Sequence, residues 1–198
     1  MIEMKSGYPT QKIKLNKGDV LFLYTDGIEE AKRLYKNDDG ENIRFMHNSD
    51  SIVTDKEIKD AIDGEEMSSE RVSDIIEAVF KKEKYILTRQ KNPITNYDEK
   101  LTFDFSSCDG TSEDVIMALV CVEKVFRLYK INTSNDFETV TVDKKVDTFL
   151  QKHFEQYNYY CANKDEHPKK EYKDEYLIYK NILEDEQFDD LTLIALKI

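Results

Sequence analysis

Two segments near opposite ends of the chain each join an apolar strand to aspartate. The first is Gly18-Asp19-Val20-Leu21-Phe22-Leu23-Tyr24-Thr25-Asp26-Gly27-Ile28-Glu29-Glu30-Ala31, and the second is Phe188-Asp189-Asp190-Leu191-Thr192-Leu193-Ile194-Ala195-Leu196. An uncharged run that stops at Asp-Gly reads as a buried strand holding a carboxylate at a sheet edge. A strand that starts after Asp-Asp can bring a second carboxylate to the same edge. Each alone is also an ordinary acidic turn. Together they predict one core in which both strands lie and a cation is gripped between them, because magnesium and manganese take oxygen ligands from a few carboxylates plus water.

The rest of the chain must carry these two strands. With 198 residues it fits one domain, or one domain with a large insertion. Its 35% charged and 39% apolar residues, with 12 tyrosines and 10 phenylalanines, describe a very polar folded protein rather than a disordered one. A net charge of −12 argues against a nucleic-acid surface, which needs Lys and Arg for phosphate contacts. Cys108, Cys121 and Cys161 follow no metal or redox spacing and read as free thiols of a reducing cytosol. Met1-Ile2-Glu3-Met4-Lys5 reads as neither a signal peptide nor a membrane segment, and no apolar run reaches transmembrane length. The expected location is cytoplasmic, with no membrane insertion by this chain, either free or as the cytoplasmic part of a membrane protein.

Along the chain, Ile13 and Leu15 alternate with lysines before the Asn16-Lys17-Gly18-Asp19 turn. This predicts a hairpin with the 20–24 strand, the latter buried on both faces. Residues 28–36 read as a loop or short helix, and 37–42 as a surface turn. Three amphipathic helices are predicted next. Ser68 or Ser69 caps the first, with Val72, Ile75, Ile76, Val79 and Phe80 on its apolar side. Thr111 and Asp114 make a capping box for the second, over about 112–130, with Val115, Ile116, Leu119, Val122, Phe126 and Tyr129 inward. Asp143 caps the third, over 143–157, with Val146, Phe149, Leu150, His153, Phe154 and Tyr157 inward. Residues 101–105 and 137–142 have strand composition. The tyrosine- and lysine-rich stretch 158–181 reads as a surface excursion, and 191–198 as a terminal strand.

The patterns GD-x-L-x-L-YTDGI-x-EA and DD-x-T-L-x-x-L resemble the metal-dependent PPM-type serine/threonine phosphatases, in their SpoIIE-like sporulation and sigma-regulatory branch. The resemblance implies an α+β fold: part of a β-sandwich flanked by helices, with a helical insertion between the two motif strands. It divides the chain into 1–83, the first part of the carboxyl-terminal half of the phosphatase domain; 84–182, the insertion; and 183–198, the closing strand. In that family two manganese or magnesium ions activate a water that attacks phosphoserine or phosphothreonine. By position in the motifs, Asp26 and Asp189 resemble metal ligands, Asp190 belongs to the same metal group in a supporting or structural role, and Gly27 permits the tight turn next to the metal.

The family's further Asp-Gly and Gly-His-Gly pieces have no counterpart here. The histidines are His47, His153 and His167, and His153 reads as a packing histidine on an apolar helix face. The chain is therefore expected to be the carboxyl-terminal part of a phosphatase domain, inactive alone and completed by an upstream sensor or phosphatase segment. Its implied substrate is a phosphorylated regulatory protein of the anti-sigma-factor-antagonist kind. The competing reading is a catalytically incomplete regulatory, protein-binding or dimerisation module. The insertion's apolar stripes find cover either on the sandwich or in a homodimer. Serine-hydrolase, Walker and dinucleotide signatures are absent.

Overall fold

The computed structural model describes residues 12–37, 40–47, 51–53, 61–91, 98–131, 139–167, 175–187 and 189–198. The expected α+β class holds: among the described residues four α-helices pack with small antiparallel sheets. The strands are β1 (Val20–Tyr24), β2 (Lys32–Leu34), β3 (Gly64–Glu66), β4 (Lys84–Gln90), β5 (Asp98–Asp104), β6 (Leu128–Lys130), β7 (Thr139–Asp143), β8 (Lys164–Asp165), β9 (Tyr176–Lys180), β10 (Ile182–Glu184) and β11 (Leu193–Lys197). The helices are α1 (Ser69–Lys81), α2 (Ser112–Arg127), α3 (Lys144–His153) and α4 (Tyr157–Cys161). No helix among the described residues is long and apolar enough to cross a membrane. Residues 1–5 and Phe188 lie outside the described residues.

Helix α2 is the axis of the core. The Thr111 hydroxyl accepts from the Asp114 N–H at 3.1 Å and the Asp114 carboxylate accepts from the Thr111 N–H at 3.0 Å, closing the predicted capping box. Val115, Ala118, Leu119, Cys121, Val122, Val125 and Phe126 are all buried. Each large aliphatic or aromatic side chain so placed contributes about 1.5–3 kcal/mol. α1 packs on α2 through Val72, Ile75 and Val79, and one core runs from Ile28 through the helices to Ile182. The helix ends after Arg127, so Tyr129 belongs to β6 and not to the helical stripe.

The β4–β5 hairpin packs its alternating row inward. Tyr85 faces Phe103, Leu87 faces Leu101, and Arg89 faces Glu99. The predicted third helix stops at His153, where Phe154 leaves helical geometry and stacks on Phe103 at 4.9 Å between ring centres. His153 is buried against Phe149 and Phe105 with Nδ1 2.7 Å from the Asp104 carbonyl, a packing role. The stretch read as a surface excursion is instead partly core. Tyr160 and Tyr179 are buried, and the Tyr179 hydroxyl joins that of Tyr157, inward as expected, in donating to Asp147, each at 2.7 Å. Lysines and glutamates between these tyrosines hid the inward positions. All three cysteines are free and buried, and burial raises their thiols, Cys108 to about 11 and Cys161 to about 12.

The first strand differs most from expectation. Ile13 and Leu15 form no strand, and β1 pairs along its whole length with β11, from Val20 opposite Lys197 to Tyr24 opposite Leu193. The reason lies in the turn. Asp19 accepts from the Asn16 N–H at 2.7 Å, and Gly18, at φ +98°, donates its N–H to Ile198, so the chain is steered onto the terminal strand. Nor is β1 buried on both faces. Phe22 and Leu193 pack on the core, whereas Leu23 on the opposite face is half exposed.

Glu99 gives the fold a measurable acid response. Burial pushes its pKa up, but the Arg89 guanidinium and the Tyr160 hydroxyl outweigh burial and hold it below its ordinary 4.5. A carboxylate held low stabilises the folded state above its unfolded value, and that contribution disappears as pH falls through the folded value. Thermal melts of Glu99→Gln and the parent chain should therefore differ at about pH 7 and converge below about pH 4.5. A gap that stays constant down to about pH 3 would contradict this assignment.

Candidate metal centre

Strand β1 delivers its carboxylate as the motif requires. After Tyr24 the chain turns through a single 3-10 turn at Asp26–Ile28. The Glu30 N–H donates to the Asp26 carbonyl at 2.9 Å, so Asp26 and Glu30 stand one helical turn apart on the same side. Met67 and Ser68 donate their N–H groups to the carbonyls of Ala31 and Glu29, at 2.9 and 2.8 Å, pinning this turn to the entry of α1. Ile28 and Ala31 are buried beneath it while Asp26 and Glu30 face solvent.

The terminal segment is fastened to the same turn by Thr25. Its hydroxyl donates to the Asp190 carbonyl at 2.8 Å and accepts from the Thr192 N–H at 3.0 Å, while its own N–H donates to Thr192 at 3.1 Å. Gly27 is buried against this clasp. A Cβ there would lie 2.6 Å from the Asp190 carbonyl oxygen, so glycine is required by close approach, not by an unusual φ. The outcome is that Asp26, Glu30 and Asp189, all exposed, each offer a carboxylate oxygen within 4.8 Å of the others. Asp190 serves through its backbone: it accepts from Thr25, and its N–H donates to Asp189 Oδ1 at 2.7 Å, which orients that carboxylate.

Glu30 and Thr25 were not singled out from sequence. Both stand inside the YTDGI-x-EA motif, and the four-residue step from Asp26 to Glu30 was the signal available. Around the group, an open cleft of about 620 Å³ is lined by Glu30, Lys32, Leu34, Asp63, Glu66 and Asp189. Among the described residues Lys32 is its one basic lining residue, held 2.8 Å from Asp63. Tyr24 donates to Glu29 at 2.6 Å at the rim, and this bond, ahead of burial, raises the tyrosine's pKa. Three convergent hard oxygen donors, open to water on one side, fit a hard divalent cation better than a soft one.

Comparison with known proteins agrees with the motif. Residues 2–81 match the family described as Stage II sporulation protein E (SpoIIE), a span that contains Asp26, Gly27 and Glu30 and ends with α1. No curated protein and no solved structure matches the chain. The amino-terminal two-fifths of this chain is thus similar to SpoIIE, a family of PPM-type phosphatases.

Proposed function

We propose that this chain is the carboxyl-terminal, metal-holding part of a protein serine/threonine phosphatase. The observation that carries the reading is the meeting of Asp26 and Glu30 with Asp189, residues from opposite ends of the sequence, at one solvent-facing point. Asp26, Glu30 and Asp189 would hold manganese or magnesium. When bound, such an ion lowers the pKa of a water and neutralises charge developing on a phosphoryl group. The protein's own part is to orient the carboxylates through Thr25 and Gly27 and to offer Lys32 in the cleft to an anionic substrate. The substrate class is phosphoserine or phosphothreonine on a regulatory protein, of the anti-sigma-factor-antagonist type by analogy with the branch, in the cytoplasm.

Three carboxylates make a sparse site. We expect weak manganese binding and little turnover by the 198-residue chain alone, and manganese-dependent hydrolysis of p-nitrophenyl phosphate once it is joined to a segment supplying the family's further Asp-Gly and Gly-His-Gly pieces. Asp26→Asn should weaken manganese binding, measured by calorimetry on the chain alone, by about tenfold or more, and abolish turnover of the joined protein. Unchanged affinity and turnover in that variant would refute the assignment. A second reading, a regulatory or protein-binding module, is favoured by one specific observation: the outer face of the β1–β11 ribbon is apolar and exposed.

A further inference from the structure

A groove of about 420 Å³ runs between α3 and the start of α2, a size that suits a small organic ligand. Half-buried Met117 and Phe149 and buried His153 make its floor, and exposed Lys144, Lys145 and Lys152 line the side that α3 supplies. The groove is distinct from the candidate metal centre. Leu34, which lines the metal cleft, donates its N–H to the Asp185 carboxylate, and the Asp185 carbonyl accepts from Arg127 at the far end of α2. The helix between Met117 and Arg127 sets the two places about 15 Å apart along its axis.

The floor is aromatic and offers no hydrogen bond. The rings of Phe149 and His153 lie 4.4 Å apart between centres. His153 Nδ1 is 2.7 Å from the Asp104 carbonyl and Nε2 is 3.9 Å from the Cys108 sulfur, so neither nitrogen is left for a ligand. Met117 adds a polarisable thioether, which packs well against rings. Such a floor favours a flat apolar body.

The α3 side is cationic and uncompensated. Lys145, Thr148 and Lys152 recur at helical spacing on the exposed side of α3, with Lys144 in its first turn. Among the described residues Lys32, Lys36, Lys84, Lys124, Lys164 and Lys180 are ion-paired, and the three groove lysines are not. Two acids stand on the α2 side. The Asp114 carboxylate is occupied by the N–H groups of Asp109 and Thr111 and by the Thr111 hydroxyl, which leaves Glu113 as the one free carboxylate in the lining among the described residues. Three lysines against one carboxylate make this spot cationic on a chain of net charge −12. The first turns of α2 and α3 both border the groove, and their dipoles add to the positive potential.

We propose that this groove binds an aromatic organic anion, its ring on Met117, Phe149 and His153 and its charged group among Lys144, Lys145 and Lys152. The proposal stands apart from the phosphatase reading, since it needs neither a metal nor turnover.

The test titrates the metal-free 198-residue chain with three probes and follows its backbone amide shifts: naphthalene sulfonate, the uncharged naphthol, and inorganic sulfate. Naphthalene sulfonate should saturate one site, move the amides of residues 113–117 and 144–153, and bind about tenfold or more tighter than either of the others. Lys145→Glu with Lys152→Glu should weaken sulfonate binding by about tenfold or more. The same variant should keep the parent's naphthol affinity and its undisturbed amides elsewhere, which shows that it folds. Phe149→Leu, which keeps apolar bulk without the ring, should weaken sulfonate and naphthol alike by about threefold. No saturable shift, or shifts gathered on the β1–β11 ribbon instead, would overturn the proposal. So would equal affinity for sulfonate and naphthol, or sulfonate binding that survives the lysine reversals.

Discussion

Replacing Arg89 with alanine should destabilise the protein by about 3–5 kcal/mol, the range expected when one partner of a buried ion pair is removed. Arg89 is only 2% exposed. Its guanidinium donates to the carbonyls of Val125 and Leu128 at the carboxyl end of α2, to the Glu99 carboxylate across the β4–β5 hairpin, and to the Tyr160 hydroxyl on α4. One side chain thus ties the central helix, the hairpin and a later helix together. Truncation leaves the Glu99 carboxylate without its cation and the helix-end carbonyls without their donor in a place water reaches poorly. Arg89→Lys keeps the charge but loses the planar fork, so its loss should be intermediate. Urea unfolding of the three proteins measures the ladder. A loss below about 1 kcal/mol for the alanine variant would mean that water replaces the guanidinium and that the network is not what joins these elements.

Gly27→Ala should damage the candidate site without removing any ligand. The added methyl would meet Asp190 backbone atoms at 2.6 and 3.0 Å, and backbone cannot step aside as a side-chain tip would. The segment carrying Asp189 must therefore move away from Asp26, loosening both bonds of the Thr25 hydroxyl. We expect about 1–3 kcal/mol of lost stability, as for other overpacked sites, and manganese affinity lower by about tenfold or more, as when groups that orient ligands are disturbed. Calorimetric titration beside a thermal melt separates the two effects. Wild-type affinity in this variant would show that the metal does not depend on the spacing between Asp26 and Asp189.

The sequence revealed what local chemistry dictates. The capping box at Thr111 and Asp114, the cap at Asp143 and the strand that ends before Asp26 are all short-range signals, and all three helices start where the sequence placed them, although the Ser68 side chain makes no capping bond and the second and third helices end early, at Arg127 and His153. What it concealed depends on partners distant in the chain. Ile13 and Leu15 look like a hairpin strand, but the competitor for β1 lies at the far end of the polypeptide. Tyr160 and Tyr179 look like surface residues because lysines and glutamates surround them, and only the part-buried Glu99 and the buried Asp147 account for where their hydroxyls go. At the candidate site, Asp26 and Asp189 were legible as strand-end acids. Glu30 was not, because its place follows from a single tight turn, and Thr25 was not, because its partners Asp190 and Thr192 come from the other motif.

The pairing of β1 with β11 also has a consequence for biosynthesis. On a ribosome, Asp26 must wait for the whole intervening segment to be read before Asp189 can reach it. Contacts of such long sequence separation form late. A product stalled before β11 is made would leave β1 without its partner and could not bring Asp189 to Asp26 and Glu30.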